Sequence, residues 1–417
     1  MKLKVLTAGS RSLVVVMALL CLGWLAGARA QERPNVELDG RQVVLTLTHR
    51  QELGFIFGPS DGSIGAVPAN GGYFLFVSAM NRRKEGGTFR LTGALSRFES
   101  RTSPGPALPK GTAPDGFSFD RDYAGGGTVT AIEDDRGRHG VLLIYHAEFQ
   151  PGPKCERVPW FYSDLGAAIS TDGGQTFRSL GEIVQPTLSR VQWQAMTPCR
   201  NAGIGYGTLV LGDENGGPLD PATTPWSEGY YYIFYSDFGP QGVLHSAVAR
   251  ARRAEVIKAA FDGSTRMFPT LFHKFNNGGY TPATSGDRND AVSSGFSSPL
   301  DPQHAFGLSV LYDRDIRGFL MSYVEPQGGG STLAIQASPN LLKWTGKPVA
   351  TVPVDGPQSR IGYATLVGET GDPRVGGRAP VLYYLNAWQW FPNWNAPQTL
   401  YESREVRIAQ PFEAPLR

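Results

Sequence analysis

Gly125–Ile132 reads GGGTVTAI, and eight residues further on Val141–Glu148 reads VLLIYHAE. The first stretch is built of small and β-branched residues and the second is apolar until it ends on a histidine and a glutamate. Between them lies Glu133–Gly140, rich in turn-forming Asp and Gly. Such a pair reads as two strands joined by a turn. The pairing recurs: IGYGTLVL (204–211) precedes YYYIFYSD (230–237), FGLSVLYD (306–313) precedes GFLMSYVE (318–325), and GYATLVGE (362–369) precedes VLYYLNAW (381–388). YFLFVSAM (73–80) is a fifth apolar strand of the same kind. The five apolar strands start roughly 60 to 90 residues apart, wider than the short repeats of solenoids but suited to a four-stranded sheet with long loops.

Small residues in the leading strands fit innermost strands crowding a central axis. Third, amphipathic strands follow several of the apolar ones: DLGAAIS (164–170), VLHSAVAR (243–250) and STLAIQAS (331–338). The expected fold is all-β, a five-bladed β-propeller, with VVLTLTH (43–49) pairing with the last blade to close the ring and remove exposed sheet edges. A six-bladed ring and a β-sandwich with a long insertion are the alternatives. With 52 Gly and 31 Pro among 417 residues, the chain is punctuated too often for long helices. Only Ala247–Phe261, around ARARRAEVIKAA, reads as helical, with its arginines on a solvated face.

The N-terminus has a basic start (Lys2, Lys4, Arg11), an apolar run from Leu13 to Leu25 and the small-residue ending Ala28-Arg29-Ala30. This is the pattern of a cleavable signal peptide over 1–30, leaving Gln31–Arg417 as one propeller domain, secreted or periplasmic. The apolar run falls short of the roughly 20 residues a membrane span needs. The leader holds four of the 39 Lys+Arg and none of the 37 Asp+Glu, so the mature chain keeps 35 basic against 37 acidic residues. That balance argues against nucleic acid and anionic membranes as partners. Cys155 and Cys199 are the cysteines left after cleavage, and an oxidising compartment suggests one disulfide between them, two separate buried thiols being the alternative.

Ser170–Phe177, STDGGQTF, resembles the Asp-box of sialidase-type propellers, a structural hairpin turn in which Asp and Ser bond the backbone and Gly supplies positive φ. Ser338–Trp344, SPNLLKW, resembles the S-x-D-L-x-x-W turn of arabinanase, xylosidase and invertase-like propellers, with Asn340 in place of Asp. Together with the strand pattern and the leader, these motifs make the chain similar to the five-bladed propeller glycoside hydrolases. That resemblance implies a substrate at one mouth of the central funnel, where carboxyl groups near the innermost strands protonate the leaving oxygen and activate or supply the attacking one.

Acids ahead of inner strands are the candidates for these roles: Asp61, Asp120 and Asp122, and Asp287 and Asp290. Each also sits beside turn-forming neighbours, and a turn cap is the competing reading. The third blade departs from the family pattern, because Asn201-Ala202-Gly203 brings no acid and Asp213 and Glu214 follow the strand instead. Arg121 and Arg288 could shape the pocket. His146 and Glu148 share one face of their strand, and Trp388 and Trp390 could stack on sugar rings. No G-x-S-x-G, H-E-x-x-H, P-loop or dinucleotide motif is present, so no cofactor is expected, and the layout leaves open a calcium ion on the axis. The expectation is a secreted, monomeric glycoside hydrolase acting on a glycan, with a non-catalytic carbohydrate-binding propeller as the alternative.

Overall fold

The computed structural model describes residues 34–58, 62–114, 119–150, 161–196, 202–238, 244–265, 268–285, 294–303, 305–327, 330–344, 346–352, 359–388 and 399–410. Strand pairing collects them into antiparallel units of four, taken in order along the chain. The first unit is Gly65–Ala69, Gly72–Asn81, Gly86–Ala94 and Arg97–Arg101. The second is Tyr123–Glu133, His139–Phe149, Tyr162–Ser170 and Arg178–Val184. Ala202–Gly212, Tyr230–Asp237, His245–Arg252 and His273–Asn276 make the third. The fourth comprises Phe306–Asp313, Gly318–Gln327, Gly330–Ser338 and Ala350–Val352. Ser359–Val367, Val381–Trp388 and Thr399–Gln410 form a fifth, whose outer strand is Asn35–Leu45 from the other end of the chain.

Alternation along the strands makes a ring of these sheets. In VLLIYHAE, Leu142 and Ile144 pack with Ile204 and Ile233 of the third unit, whereas Leu143 and Tyr145 pack with Val67 and Phe76 of the first. Each sheet thus buries both faces, and the same two-sided packing joins Phe234 to Met321, Leu320 to Leu382, and Tyr383 to Leu75. The innermost strands also touch in sequence. The Gly127 amide donates to the Ser63 carbonyl at 3.1 Å, Thr128 Oγ1 to Thr208 Oγ1 at 3.1 Å, and the Val310 amide to Thr208 Oγ1 at 3.5 Å. The Leu366 amide donates to Ser309 Oγ at 2.9 Å and the Ile64 amide to Thr365 Oγ1 at 3.0 Å, which returns to the start. The fold is a β-propeller.

The axis is filled away from the mouth by Arg374, 6% exposed, which reaches inward from the segment after the last inner strand. It donates to Leu209 O (3.2 Å), Thr208 Oγ1 (3.2 Å), Leu366 O (3.3 Å) and Val310 O. One guanidinium therefore ties three inner strands. Burial pulls its pKa down to about 10, with nearby Asp372 opposing.

Three expectations need correction. VVLTLTH is a strand only through Leu45, because Thr46 Oγ1 accepts the His49 amide at 3.1 Å and caps the short helix Leu47–Glu52. Ala247–Phe261 is not one helix: it is strand through Arg252 and helix over Arg253–Asp262, since pairing with Tyr230–Asp237 outweighs local propensity. Nor do its arginines form a solvated face. Arg250 lies over the rings of Tyr230 (4.5 Å) and Tyr280 (3.7 Å), and Arg253 donates to the carbonyls of Thr224 and Pro225, both at 3.2 Å.

Both quoted turns are hairpin ends remote from the mouth. Asp172 Oδ1 accepts the amides of Gln175 (2.9 Å) and Thr176 (3.0 Å), Gly173 and Gly174 have φ of 73° and 82°, and Phe177 packs edge-on against Phe76 at 5.4 Å. In the other turn Asn340 Oδ1 accepts the Leu342 amide at 2.9 Å, as an aspartate would. Its Nδ2 also donates to Asn215 O at 2.8 Å, a bond between units that a carboxylate cannot make.

Candidate active site

The inner strands of units two to five begin at one end of the ring and share a bulge there. Register slips between Gly125 and Gly127, Gly205 and Thr208, Phe306 and Ser309, and Gly362 and Thr365. Inside each slip sits a residue of positive φ: Gly126 (62°), Tyr206 (60°), Gly307 (62°) and Tyr363 (51°). Two residues later comes the hydroxyl residue of the inter-strand contacts. The bulge turns the strand so that this hydroxyl meets its neighbour, and glycine is its natural occupant. Tyrosine in that conformation costs roughly 1–2 kcal/mol at each position.

These two strained tyrosines meet at the axis. Units three and five are not neighbours, yet the rings of Tyr206 and Tyr363 stand 5.3 Å apart at 63°, passing unit four where it carries Gly307. His146 stacks on Tyr206 at 5.2 Å and 16°, and Tyr123 and Phe161 approach the imidazole edge-on at 5.8 and 6.3 Å. Gly205 makes room for the ring, since a Cβ there would lie 3.1 Å from Nδ1 and Cε1. His146 Nε2 bonds Glu148 Oε1 at 3.0 Å, their side chains being 5% and 12% exposed. His146 Nδ1 is buried without a partner among the described residues.

From Glu148 the network runs outward through one glutamine. Gln150 Nε2 donates to Glu148 Oε2 at 2.7 Å, while the Gln150 amide donates to Asp122 Oδ2 at 2.6 Å. Arg121 donates to the same Asp122 oxygen, through Nε at 2.9 Å and Nη2 at 2.7 Å, and lies 4.2 Å over the Phe149 ring. The structure therefore joins four of the sequence candidates: Asp122, Arg121, His146 and Glu148.

Asp120 is kept apart from them. It is fully buried on the face that the second unit turns toward the first, with Oδ1 accepting the Ala113 amide at 3.3 Å and Oδ2 3.4 Å from the Tyr145 hydroxyl. Burial pushes its pKa up to about 6 against the pull of those hydrogen bonds. Asp120 and Asp122 are two apart but lie in a turn rather than a strand, which sends the first to Tyr145 and the second to Gln150 and Arg121. Asp61, Asp287, Arg288, Asp290, Trp390, Cys155 and Cys199 lie outside the described residues, and of Trp388 only the strand position is described.

A second polar group escaped the sequence reading. Asp164, Glu182, Asp237 and Lys274 are almost wholly buried, and the three carboxylates act electrostatically on the lysine. Burial pulls the Lys274 ammonium down to about 8, with the three carboxylates opposing. Its Nζ donates to Ser294 Oγ (2.8 Å) and Gly295 O (3.1 Å). Polar residues inside otherwise small, buried strands, as in SDLGAAIS, were the available signal. No group of three or more His, Cys, Asp or Glu among the described residues is arranged to hold a metal ion.

No protein-family model and no curated protein matches the sequence. Solved structures do match in layout. The catalytic domain of a GH62 α-L-arabinofuranosidase from Coprinopsis cinerea is 11% identical, covering 90% of this chain and 97% of that one with a TM-score of 0.46. A glycosyl hydrolase from Bacteroides ovatus is 11% identical over 90% and 96% of the two chains, TM-score 0.46. A thermostable family-43 glycoside hydrolase is 12% identical over 86% and 96%, TM-score 0.43. At these values the likenesses assign neither an activity nor residue roles.

Proposed function

We infer that the protein acts on a neutral glycan at the mouth of the ring, as a glycoside hydrolase. The observation that supports this reading is the pairing of two carboxylates, Asp122 and Glu148, through the single residue Gln150, beside a histidine and a group of aromatic rings. Glycosidic cleavage needs a proton for the leaving oxygen and an oxygen to attack or assist at the anomeric carbon. Glu148, hydrogen-bonded to His146 Nε2, is the carboxyl that serves as the acid. Asp122, fixed by Arg121 and the Gln150 amide, is the acceptor that activates water. Rings nearby suit the apolar face of a sugar. Export through the leader at 1–30 would bring this site to extracellular or periplasmic glycans.

The binding-only reading is favoured by one fact: the oxygens of Glu148 and Asp122 already bond protein groups, so a ligand can be held without the carboxylates being free to react. A hydrolysis and binding assay on a panel of neutral oligosaccharides separates the two. Asp122→Asn and Glu148→Gln should each lower turnover by at least ~100-fold with unfolding temperature unchanged. Binding without turnover in the wild type makes the protein a lectin, and unchanged turnover in both variants removes these carboxylates from the chemistry.

A further inference from the structure

Tyr206 and Tyr363 stand where units two and four have glycine, and both keep the left-handed backbone that glycine adopts freely. Strain of this kind persists where the surroundings over-determine it, and it clusters at binding and catalytic sites. Closure of the axis does not require it, because Arg374 already fills the axis with four hydrogen bonds. The bulge does not require it either, since Gly126 and Gly307 form the same bulge. What the tyrosines add is a ring pair at the axis, in contact with His146 and so one residue removed from Glu148. Tyr206 is half-buried and presents the floor, while Tyr363, 7% exposed, supports it from beneath.

We propose that Tyr206 and Tyr363 form the floor of a subsite that seats one uncharged sugar ring at the axis. The proposal rests on the glycan reading above and adds the ring-recognition element to it. An aromatic floor takes the C–H face of a sugar, leaving its hydroxyls for polar neighbours. His146 backs the floor by stacking on the Tyr206 ring at 5.2 Å, and its hydrogen bond to Glu148 Oε1 fixes the imidazole plane. An acidic sugar would bring its charge beside Glu148, and the nearby Arg121 is already paired with Asp122, so a neutral ring is the expected occupant.

Glycine at either position makes the test decisive, because it removes the ring while keeping the conformation the backbone already has. Full-length wild type, Tyr206→Gly, Tyr363→Gly and Tyr206→Phe are titrated with xylotriose, cellotriose and a trigalacturonate, followed by saturation-transfer NMR and thermal unfolding. The expected result is binding of a neutral trisaccharide by wild type, with transfer onto its ring C–H protons and no binding of the trigalacturonate. Affinity should fall at least 30-fold in both glycine variants, persist in Tyr206→Phe, and leave the unfolding temperature within a few degrees. Wild-type binding that the glycine variants keep, or glycine variants that unfold far earlier with unchanged affinity, overturns the floor and leaves the glycan reading standing. Wild type that binds neither neutral trisaccharide overturns both.

Discussion

Arg374 Nη2 lies 3.2 Å from Thr208 Oγ1, and that hydroxyl also receives the Thr128 hydroxyl and the Val310 amide. Three units thus converge on one threonine oxygen, with the guanidinium closing the arrangement. Replacing Arg374 by Met keeps most of the volume but leaves Leu209, Leu366 and Val310 carbonyls without this donor. A loss of about 2–4 kcal/mol in denaturant unfolding is expected. Arg374→Lys should recover little of it, because one ammonium cannot reproduce the planar fork. A Met variant as stable as wild type would show that the guanidinium is not what joins the strands.

Asp172 sets a second measurable effect at the hairpin turn Ser170–Phe177. Burial acts to raise its pKa, but hydrogen bonds from the Thr176 amide, the hydroxyls of Ser170 and Thr176 and the Gln175 amide outweigh it and hold the carboxyl at about 2. The folded value lies below the ordinary 3.8, so the contribution is full above about pH 5 and disappears as pH falls through 2. The stability gap between wild type and Asp172→Ala, measured by urea unfolding, should be constant from pH 7 to 5 and shrink steadily toward pH 2. A gap that widens on acidification contradicts the assignment.

Cys155 and Cys199 lie outside the described residues, and a disulfide between them is a prediction from the sequence. Tyr162 pairs with Ala202 in a parallel bridge and packs on Trp193 at 5.3 Å, so the chain on the far side of each cysteine is brought together. Mass analysis of exported protein should show two hydrogens fewer than the dithiol form, and reduction should cost about 4 kcal/mol for a loop of that length. Two alkylatable thiols without reduction would sink the bridge.

Export itself is read from the mature end. N-terminal sequencing of protein recovered from a secreting host should begin at Gln31, with the charge balance of 35 basic to 37 acidic residues that follows from removing the leader. Recovery of the intact Met1 form in the membrane fraction would replace the cleavable leader by an anchor.

How much of this was legible depends on whether a residue's role follows from its neighbours in sequence. Val141–Glu148 shows its strand, its two faces and the His146–Glu148 pair directly, because a strand places every second residue together. The inner strand Gly65–Ala69 went unread: it is short, and Pro68 argues against a strand. Asp120 was misplaced because its direction depends on packing against Tyr145 from a later strand. Tyr206 and Tyr363 were hidden most deeply, since local preference gives a left-handed position to glycine. The clue was the recurring spacing in Gly126-Gly127-Thr128, Tyr206-Gly207-Thr208, Gly307-Leu308-Ser309 and Tyr363-Ala364-Thr365, where the first residue turns the backbone and the third bridges to the next strand.

Asn35–Leu45 completes the unit that ends with Thr399–Gln410. The earliest described strand therefore waits without its partner until the last has been synthesised, and the sheet that receives it is the last to form. A chain threaded outward from its N-terminus carries an unsatisfied edge throughout, a template for pairing with the wrong molecule. Moving that strand by circular permutation, so that the chain starts at Gly65 and Asn35–Leu45 follows Thr399–Gln410 through a short linker, would turn a closure spanning the whole molecule into a local hairpin and speed refolding.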